Sequence, residues 1–63
     1  MAFKDNLYAF RCKAGLSQQE LADKCGVSRQ AVNGYELGVK TPKLETLLLI
    51  AKALNCTTDE LLK

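Results

Sequence analysis

The sequence predicts a small all-α domain of five short helices. Apolar residues recur at helical spacing along most of the chain, no segment has the alternation of a strand, and two Ser/Thr-x-x-Glu patterns mark helix starts. The chain has 63 residues, of which 48% are hydrophobic and 25% charged, with a single Pro. This composition is typical of a folded chain, and the length predicts one domain over residues 1–63.

The first two helices are predicted from an apolar stripe and a capping box. Helix one covers about residues 4–13, and its stripe consists of Phe3, Leu7 and Phe10. Gly15 ends this helix, because a residue without a Cβ adopts the left-handed conformation at little cost. Ser17 and Glu20 have capping-box spacing, so helix two begins at residue 18, and Gly26 ends it.

Three further helices are predicted from their end signals. Ser28 is the expected N-cap of helix three, which Gly38 terminates. Pro42 is expected to start helix four, since proline is tolerated only in the first turn. The apolar stripe of helix four is predicted to contain Leu44, Leu47, Leu48, Ala51 and Leu54. Thr57 and Glu60 form a second capping box and start a short final helix.

Residues 18–37 have the pattern of a helix-turn-helix. Two helices of about eight residues are joined by Gly26 and Val27, a connection too short for an antiparallel return. The helices are therefore expected to cross at a large angle, roughly 90–120°. Ala22 is small where they approach most closely, and Gly26 supplies the positive φ that such a turn requires.

The outer face of helix three carries side chains suited to base recognition. Helical spacing groups Ala31, Val32 and Tyr35 on the inner side. The outer arc is predicted to contain Arg29, Gln30, Asn33 and Gly34. Arginine pairs with guanine O6 and N7, and glutamine or asparagine pairs with adenine N6 and N7 in the major groove. A glycine inside a helix costs about 0.5–1 kcal/mol relative to alanine, and close approach of backbone to a base or sugar is one reason for it. The alternative is a solvated polar face, which the helix-turn-helix spacing disfavours.

A series of landmarks extends this pattern over most of the chain. The landmarks are Arg11, Lys13-Ala14-Gly15-Leu16-Ser17-Gln18, Glu20-Leu21-Ala22, Gly26-Val27-Ser28-Arg29-Gln30, Glu36-Leu37-Gly38, Pro42, Leu44-Glu45-Thr46-Leu47 and Ile50-Ala51-Lys52-Ala53-Leu54. With them the chain resembles the Cro/repressor-type (XRE) helix-turn-helix family over about residues 7–62. The resemblance implies a compact five-helix, lambda-repressor-like DNA-binding domain whose third helix enters the major groove.

The resemblance also implies three groups of site residues. Base contacts fall on Ser28, Arg29, Gln30, Asn33 and Gly34. Phosphate contacts fall on Ser17, Gln18, Lys40, Thr41 and Lys43. Arg11 and Glu36 are implied to form a structural ion pair between helices one and three. Leu37 and Val39 depart from the family, which often has polar or basic residues there, and Leu49 stands where Lys is usual.

The leading hypothesis is a sequence-specific double-stranded DNA-binding transcriptional regulator, a repressor that binds a palindromic operator. One recognition helix reads few base pairs, so a homodimer on two half-sites is expected. Helices four and five are the expected interface, through Leu49, Leu61 and Leu62. The alternative is a helical protein-interaction module, such as an antitoxin or adaptor subunit, which exposed Leu37, Val39 and Leu49 favour.

Composition argues against other functions. The chain has no His, and the spacing of Cys12, Cys25 and Cys56 matches no metal motif, so neither an enzyme nor a cofactor or metal is expected. No run approaches the roughly 20 apolar residues of a membrane span, and no signal-peptide pattern is present, which predicts a cytoplasmic protein with no membrane partner. The formal net charge of +2 is too small to identify a partner.

Overall fold

In the computed structural model, which describes residues 2–63, the chain forms five α-helices. They are α1 (Phe3–Lys13), α2 (Gln18–Cys25), α3 (Arg29–Leu37), α4 (Leu44–Ala53) and α5 (Thr58–Leu62). No strand occurs in this described part of the chain, and the all-α prediction is confirmed. None of the helices within it is long and apolar enough to cross a bilayer.

Both predicted capping boxes are present. The Ser17 hydroxyl accepts a hydrogen bond from the Glu20 backbone N–H at 3.0 Å, and the Ser17 N–H donates to the Glu20 carboxylate at 2.8 Å. The bond from the Ser17 N–H lowers the pKa of Glu20 below its usual value, because it stabilises the ionised carboxylate. Thr57 and Glu60 make the same pair of bonds at the start of α5. The chain therefore encodes two of its helix starts locally.

The core lies where all five helices meet. α2 packs on α3 and α4, α1 packs on α3 and α5, and α4 packs on α5. The largest fully buried side chains are Leu7, Leu21, Val32, Ile50 and Leu61. All three cysteines are free thiols: Cys12 is exposed, Cys25 buried and Cys56 half-buried. Burial raises the pKa of the Cys25 and Cys56 thiols above the usual value for cysteine.

Helix α4 differs from its prediction in both its start and its buried face. It begins at Leu44 rather than Pro42, and Lys43 is an N-cap that makes no side-chain capping bond. Leu44 and Leu48, predicted on the inner stripe, are 70% and 53% exposed, whereas Ile50 is fully buried. The segment contains two overlapping helical stripes, 44-47-48-51 and 47-50-51-54. The second is the one that reaches the core.

The position of Leu61 is a second correction. The sequence predicts Leu61 at a dimer interface, but its side chain is fully buried in the core of one copy. Its backbone carbonyl accepts a hydrogen bond from the buried Asn6 side chain at 2.9 Å, and the same amide group donates to the Lys63 carbonyl at 3.0 Å. Leu61 therefore holds α5 against α1, and of the residues expected at the interface only Leu49 and Leu62 are exposed.

Candidate functional site

The turn between α2 and α3 has the geometry that its glycine predicts. Gly26 is the C-cap of α2, with φ of 68°, and its N–H donates to the Ala22 carbonyl. Ser28 then caps α3 by accepting from the Ala31 N–H at 3.1 Å. Ala22 and Ala31 are both buried, and α2 packs directly on α3. The two helices thus form a rigid pair that presents one face of α3 to solvent.

The exposed face of α3 carries most of the predicted base-reading residues. Arg29 and Gln30 are exposed in its first turn, and Asn33 is half-buried one turn further on. Ser28 is exposed and its oxygen accepts the capping bond, so its hydroxyl hydrogen is left to donate. The first turn of α3 contains no acidic residue that would repel a phosphate backbone.

Gly34 does not lie on this exposed face, and that prediction is wrong. The residue is buried in α3. A Cβ placed on it would meet the Lys40 side chain, with Cδ at 2.9 Å and Cγ at 3.0 Å. The structural reason for a glycine inside the helix is therefore the aliphatic chain of Lys40, which lies against the helix backbone where a side chain would otherwise project.

Arg11 and Glu36 form the ion pair that the resemblance implies. Arg11 Nε donates to Glu36 Oε2 at 2.5 Å and Nη2 donates to Oε1 at 3.0 Å, while Nη1 donates to the Leu16 carbonyl at 2.8 Å. The hydrogen bond to Glu36 raises the pKa of Arg11 above its usual value. The Tyr8 ring lies 5.4 Å from the guanidinium carbon. With side chains 12% and 6% exposed, the pair ties α1 to α3 rather than facing a ligand.

Gln18 joins this ion pair to the exposed face of α3. Its side-chain amide nitrogen donates to Glu36 Oε1 at 3.0 Å and to Asn33 Oδ1 at 3.2 Å. Sequence reasoning assigned Gln18 only to phosphate binding and missed both bonds. These partners are 15 and 18 residues away in the sequence, so no local spacing signals them.

The residues predicted to contact phosphates surround α3. Ser17, Lys40, Thr41 and Lys43 are exposed, and Gln18 is half-buried. The Ser17 oxygen is occupied by its capping bond, which leaves the hydroxyl hydrogen for an acceptor. Across residues 2–63 the salt bridge of Arg11 is the one ion pair present, so Lys40 and Lys43 keep their charges free for an anion.

A helix-turn-helix with a polar, outward-facing second helix defines a class of DNA-binding domain, and the comparisons with known proteins agree with this geometry. Residues 7–61 of the chain match the sequence model of the family described as helix-turn-helix. The chain belongs to this helix-turn-helix family.

Several relatives of the chain are named as HTH-type transcriptional regulators. It is 43% identical over 61 residues to YqaE, named as an uncharacterized HTH-type transcriptional regulator of Bacillus subtilis, covering 97% of this chain and 53% of the relative. It is also 41% identical to YonR, named as an uncharacterized SPbeta prophage-derived HTH-type transcriptional regulator of the same organism, covering 97% of this chain and 56% of that relative. The chain thus spans about half the length of these curated relatives. The family members named here are regulators rather than enzymes.

Solved structures of similar proteins have the same fold. The P22 c2 repressor, solved in complex with a synthetic operator, superimposes with a TM-score of 0.95 at 35% identity, covering 100% of this chain and 96% of that one. The restriction-modification controller protein C.AhdI from Aeromonas hydrophila superimposes with a TM-score of 0.88 at 37% identity, covering 94% and 89%. The lambda-repressor-like architecture expected from the sequence is confirmed.

Proposed function

We propose that this chain is the sequence-specific double-stranded DNA-binding domain of a transcriptional repressor, with α3 in the major groove. The observation that supports this most directly is the exposed start of α3, where Arg29 and Gln30 project from a helix that Glu36, near its other end, ties to α1. The P22 c2 repressor, which shares the fold, was solved bound to an operator. We assign base contacts to the exposed or half-exposed members of the predicted set, which are Ser28, Arg29, Gln30 and Asn33.

The proposed phosphate contacts lie on both sides of α3. Lys40 and Lys43 supply positive charge, and Ser17 and Thr41 supply neutral hydroxyl donors. Gln18 uses both hydrogens of its side-chain amide within the protein, so its proposed contact is through its backbone N–H at the start of α2. Each phosphate neutralised by a cation contributes about −0.9 to the slope of log affinity against log salt. Two lysines therefore predict a slope of roughly −2 for one domain and roughly −4 for two domains on one duplex.

The test separates base contacts from phosphate contacts. Binding to duplexes selected from a random pool is measured over a range of salt concentrations for Arg29→Ala, Lys40→Ala and the control Lys52→Ala. We expect Arg29→Ala to relax preference at one base pair and Lys40→Ala to weaken binding to all sequences and reduce the salt slope by about 1. Lys52 is exposed near the far end of α4, so its removal should change neither. No binding of the unaltered chain at low salt would refute the DNA-binding proposal.

We further propose that two copies bind a palindromic operator, with α4 and the end of α5 between them. Leu49 and Leu62 are 45% and 58% exposed, and apolar side chains of this kind gain free energy when a partner covers them. Sedimentation of Leu49→Glu should report a lower mass than the unaltered chain at the same concentration. Val39→Glu is a matched control, because Val39 is 75% exposed but outside α4 and α5. An unchanged mass for Leu49→Glu would exclude α4 as the interface.

A second candidate function, a protein-interaction module such as an antitoxin or adaptor subunit, is favoured by Leu37 and Val39. These side chains are 61% and 75% exposed at the end of α3 and just after it. This candidate does not exclude DNA binding, and it predicts a protein partner that covers Leu37 and Val39. The binding measurement therefore tests the first function, and a chain that binds no duplex at low salt would leave the second.

A further inference from the structure

We infer that Asn33 selects guanine over adenine, because a hydrogen-bond relay from Glu36 through Gln18 fixes which atoms of its amide face outward. The inference rests on the proposed function, since it concerns how α3 reads a base. It assigns part of the sequence specificity to Gln18, a residue of α2 that need not touch any base.

The relay begins at a group that can only accept hydrogen bonds. Glu36 is paired with a guanidinium and is therefore a carboxylate without a proton to donate. Its Oε1 receives both Arg11 Nη2 and Gln18 Nε2, each at 3.0 Å. Its side chain is only 6% exposed and is held from two sides, so this acceptor has a fixed position.

The carboxylate determines the orientation of the Gln18 amide. If the Gln18 carbonyl oxygen faced Glu36, two acceptors would meet without a hydrogen between them. The NH₂ group must therefore point toward Glu36, and its second hydrogen points to Asn33. Because that hydrogen needs an acceptor, Asn33 turns its Oδ1 inward, at 3.2 Å from Gln18 Nε2.

Asn33 is consequently left with an outward-facing NH₂ group. Its Nδ2 donates to no other protein group in the described part of the chain. No buried side-chain nitrogen or oxygen there lacks a partner, so the unpaired Nδ2 reaches the surface. Asn33 thus presents two N–H donors to a ligand, while its carbonyl oxygen is engaged within the protein.

A donor-only amide is matched by guanine. The major-groove edge of guanine presents two acceptors, N7 and O6, whereas adenine presents one acceptor, N7, beside the N6 amino donor. Bidentate pairing with adenine requires the amide oxygen and nitrogen to face the same base, and in this protein the oxygen is turned toward Gln18 of α2. Without the relay, an asparagine at this position would be free to rotate and pair with adenine.

The inference is tested by measuring base preference at one base pair. Duplexes are selected from a random pool with the unaltered chain and with Asn33→Ala, and the base pair whose preference disappears is the one that Asn33 reads. Affinities for the best duplex are then compared with guanine or adenine at that position, for the unaltered chain, Gln18→Leu and Gln19→Leu. Gln19 is the matched control, because its amide bonds only Asp23 on the exposed side of α2.

We expect the unaltered chain and Gln19→Leu to favour guanine over adenine by about tenfold, within the range that one good base contact supplies. Gln18→Leu should bring that ratio to about one or reverse it, since the amide of Asn33 is released. Loss of a phosphate contact from Gln18 would weaken both duplexes equally and leave the ratio unchanged, so the ratio reports the relay alone.

Three results would overturn the inference while leaving the proposed function intact. In the first, the unaltered chain prefers adenine. In the second, Gln18→Leu keeps the guanine preference. In the third, Asn33→Ala changes the preference at no base pair. Thermal unfolding of each variant confirms that a folded protein was measured. Asn33→Ala supplies an independent arm if Gln18→Leu is unstable, because it leaves the bond between Gln18 and Glu36 in place. Absence of any DNA binding by the unaltered chain would instead refute the proposed function itself.

Discussion

Helices α3 and α4 are nearly equal in length, at nine and ten residues, but they expose opposite chemistry. α3 presents Arg29 and Gln30 to solvent and is tied to its neighbours by charged and amide hydrogen bonds. α4 presents Leu44, Leu48 and Leu49, which are 45–70% exposed. The domain therefore separates a directional polar surface on α3 from a nondirectional apolar one on α4. The first suits base recognition, and the second suits burial against another protein surface.

The largest effect is expected from removing a charged partner on α3. Glu36→Ala leaves Arg11 with two unpaired donors beside the core, and breaking such a partly buried pair costs about 3–5 kcal/mol. Glu45→Ala, at an exposed position in the first turn of α4, should change the free energy of unfolding by less than about 0.5 kcal/mol. Denaturant unfolding gives the free energy of unfolding of both variants. Equal losses for Glu36→Ala and Glu45→Ala would contradict this difference between α3 and α4.

Within α4, Ile50 and Leu44 test which stripe supports the fold. Ile50 is fully buried, so Ile50→Ala is expected to cost about 2–5 kcal/mol through lost burial and the cavity left behind. Leu44 is 70% exposed, and Leu44→Ala should cost less than about 0.5 kcal/mol. Unfolding midpoints in urea give both values. A larger loss of unfolding free energy for Leu44→Ala than for Ile50→Ala would instead support the buried stripe that the sequence predicts.

These two positions also illustrate why sequence reasoning located most elements but misassigned α4. Ser17, Gly26 and Ser28 act through groups within a few residues, so local pattern was enough to place α2 and α3. Around α4, apolar residues form two helical stripes that share positions 47 and 51, and their spacing favours neither stripe. Only packing against α2 and α5 selects between them, and that information is not local.

The residues of the candidate site likewise divide into those that local spacing predicts and those that depend on packing. Helical periodicity was sufficient to place Arg29 and Gln30 on the outer face of α3. It failed for Gly34, because the group that covers this glycine is Lys40, six residues on and beyond the end of the helix. The bonds of Gln18 to Asn33 and Glu36 depend on how α2 crosses α3, a geometry that no spacing in the sequence specifies.

A smaller effect is expected at the start of α4. Lys43 occupies the N-cap without making a side-chain bond, whereas Ser17 and Ser28 cap α2 and α3. Lys43→Ser should therefore raise the free energy of unfolding by about 1 kcal/mol. It should also reduce the salt slope of DNA binding by about 1, since one proposed phosphate contact is lost. Thermal unfolding and salt titration measure the two effects, and a stability gain with an unchanged slope would exclude Lys43 from the interface.

The smallest effect concerns pH. Hydrogen bonds from Ser17 lower the pKa of Glu20, so the folded state holds its proton less tightly than the unfolded chain does. Its contribution to stability is therefore complete above the unfolded pKa of about 4.3 and disappears as the pH falls through the lower, folded value. Glu20→Gln keeps a capping side chain but does not titrate. Melting temperatures measured from about pH 6 to pH 3 should fall less for the variant, and parallel curves would contradict the assignment.

The buried Asn6 amide has a consequence for how the domain opens. α5 has only five residues, too few to persist by itself, and its terminal carbonyls are held by a side chain 55 and 57 positions earlier in the sequence. α5 therefore cannot fray independently without breaking a contact that also orders α1. Backbone amides of α5 are expected to exchange with deuterium at the rate of whole-domain opening, so that two distant ends of the chain behave as one cooperative unit.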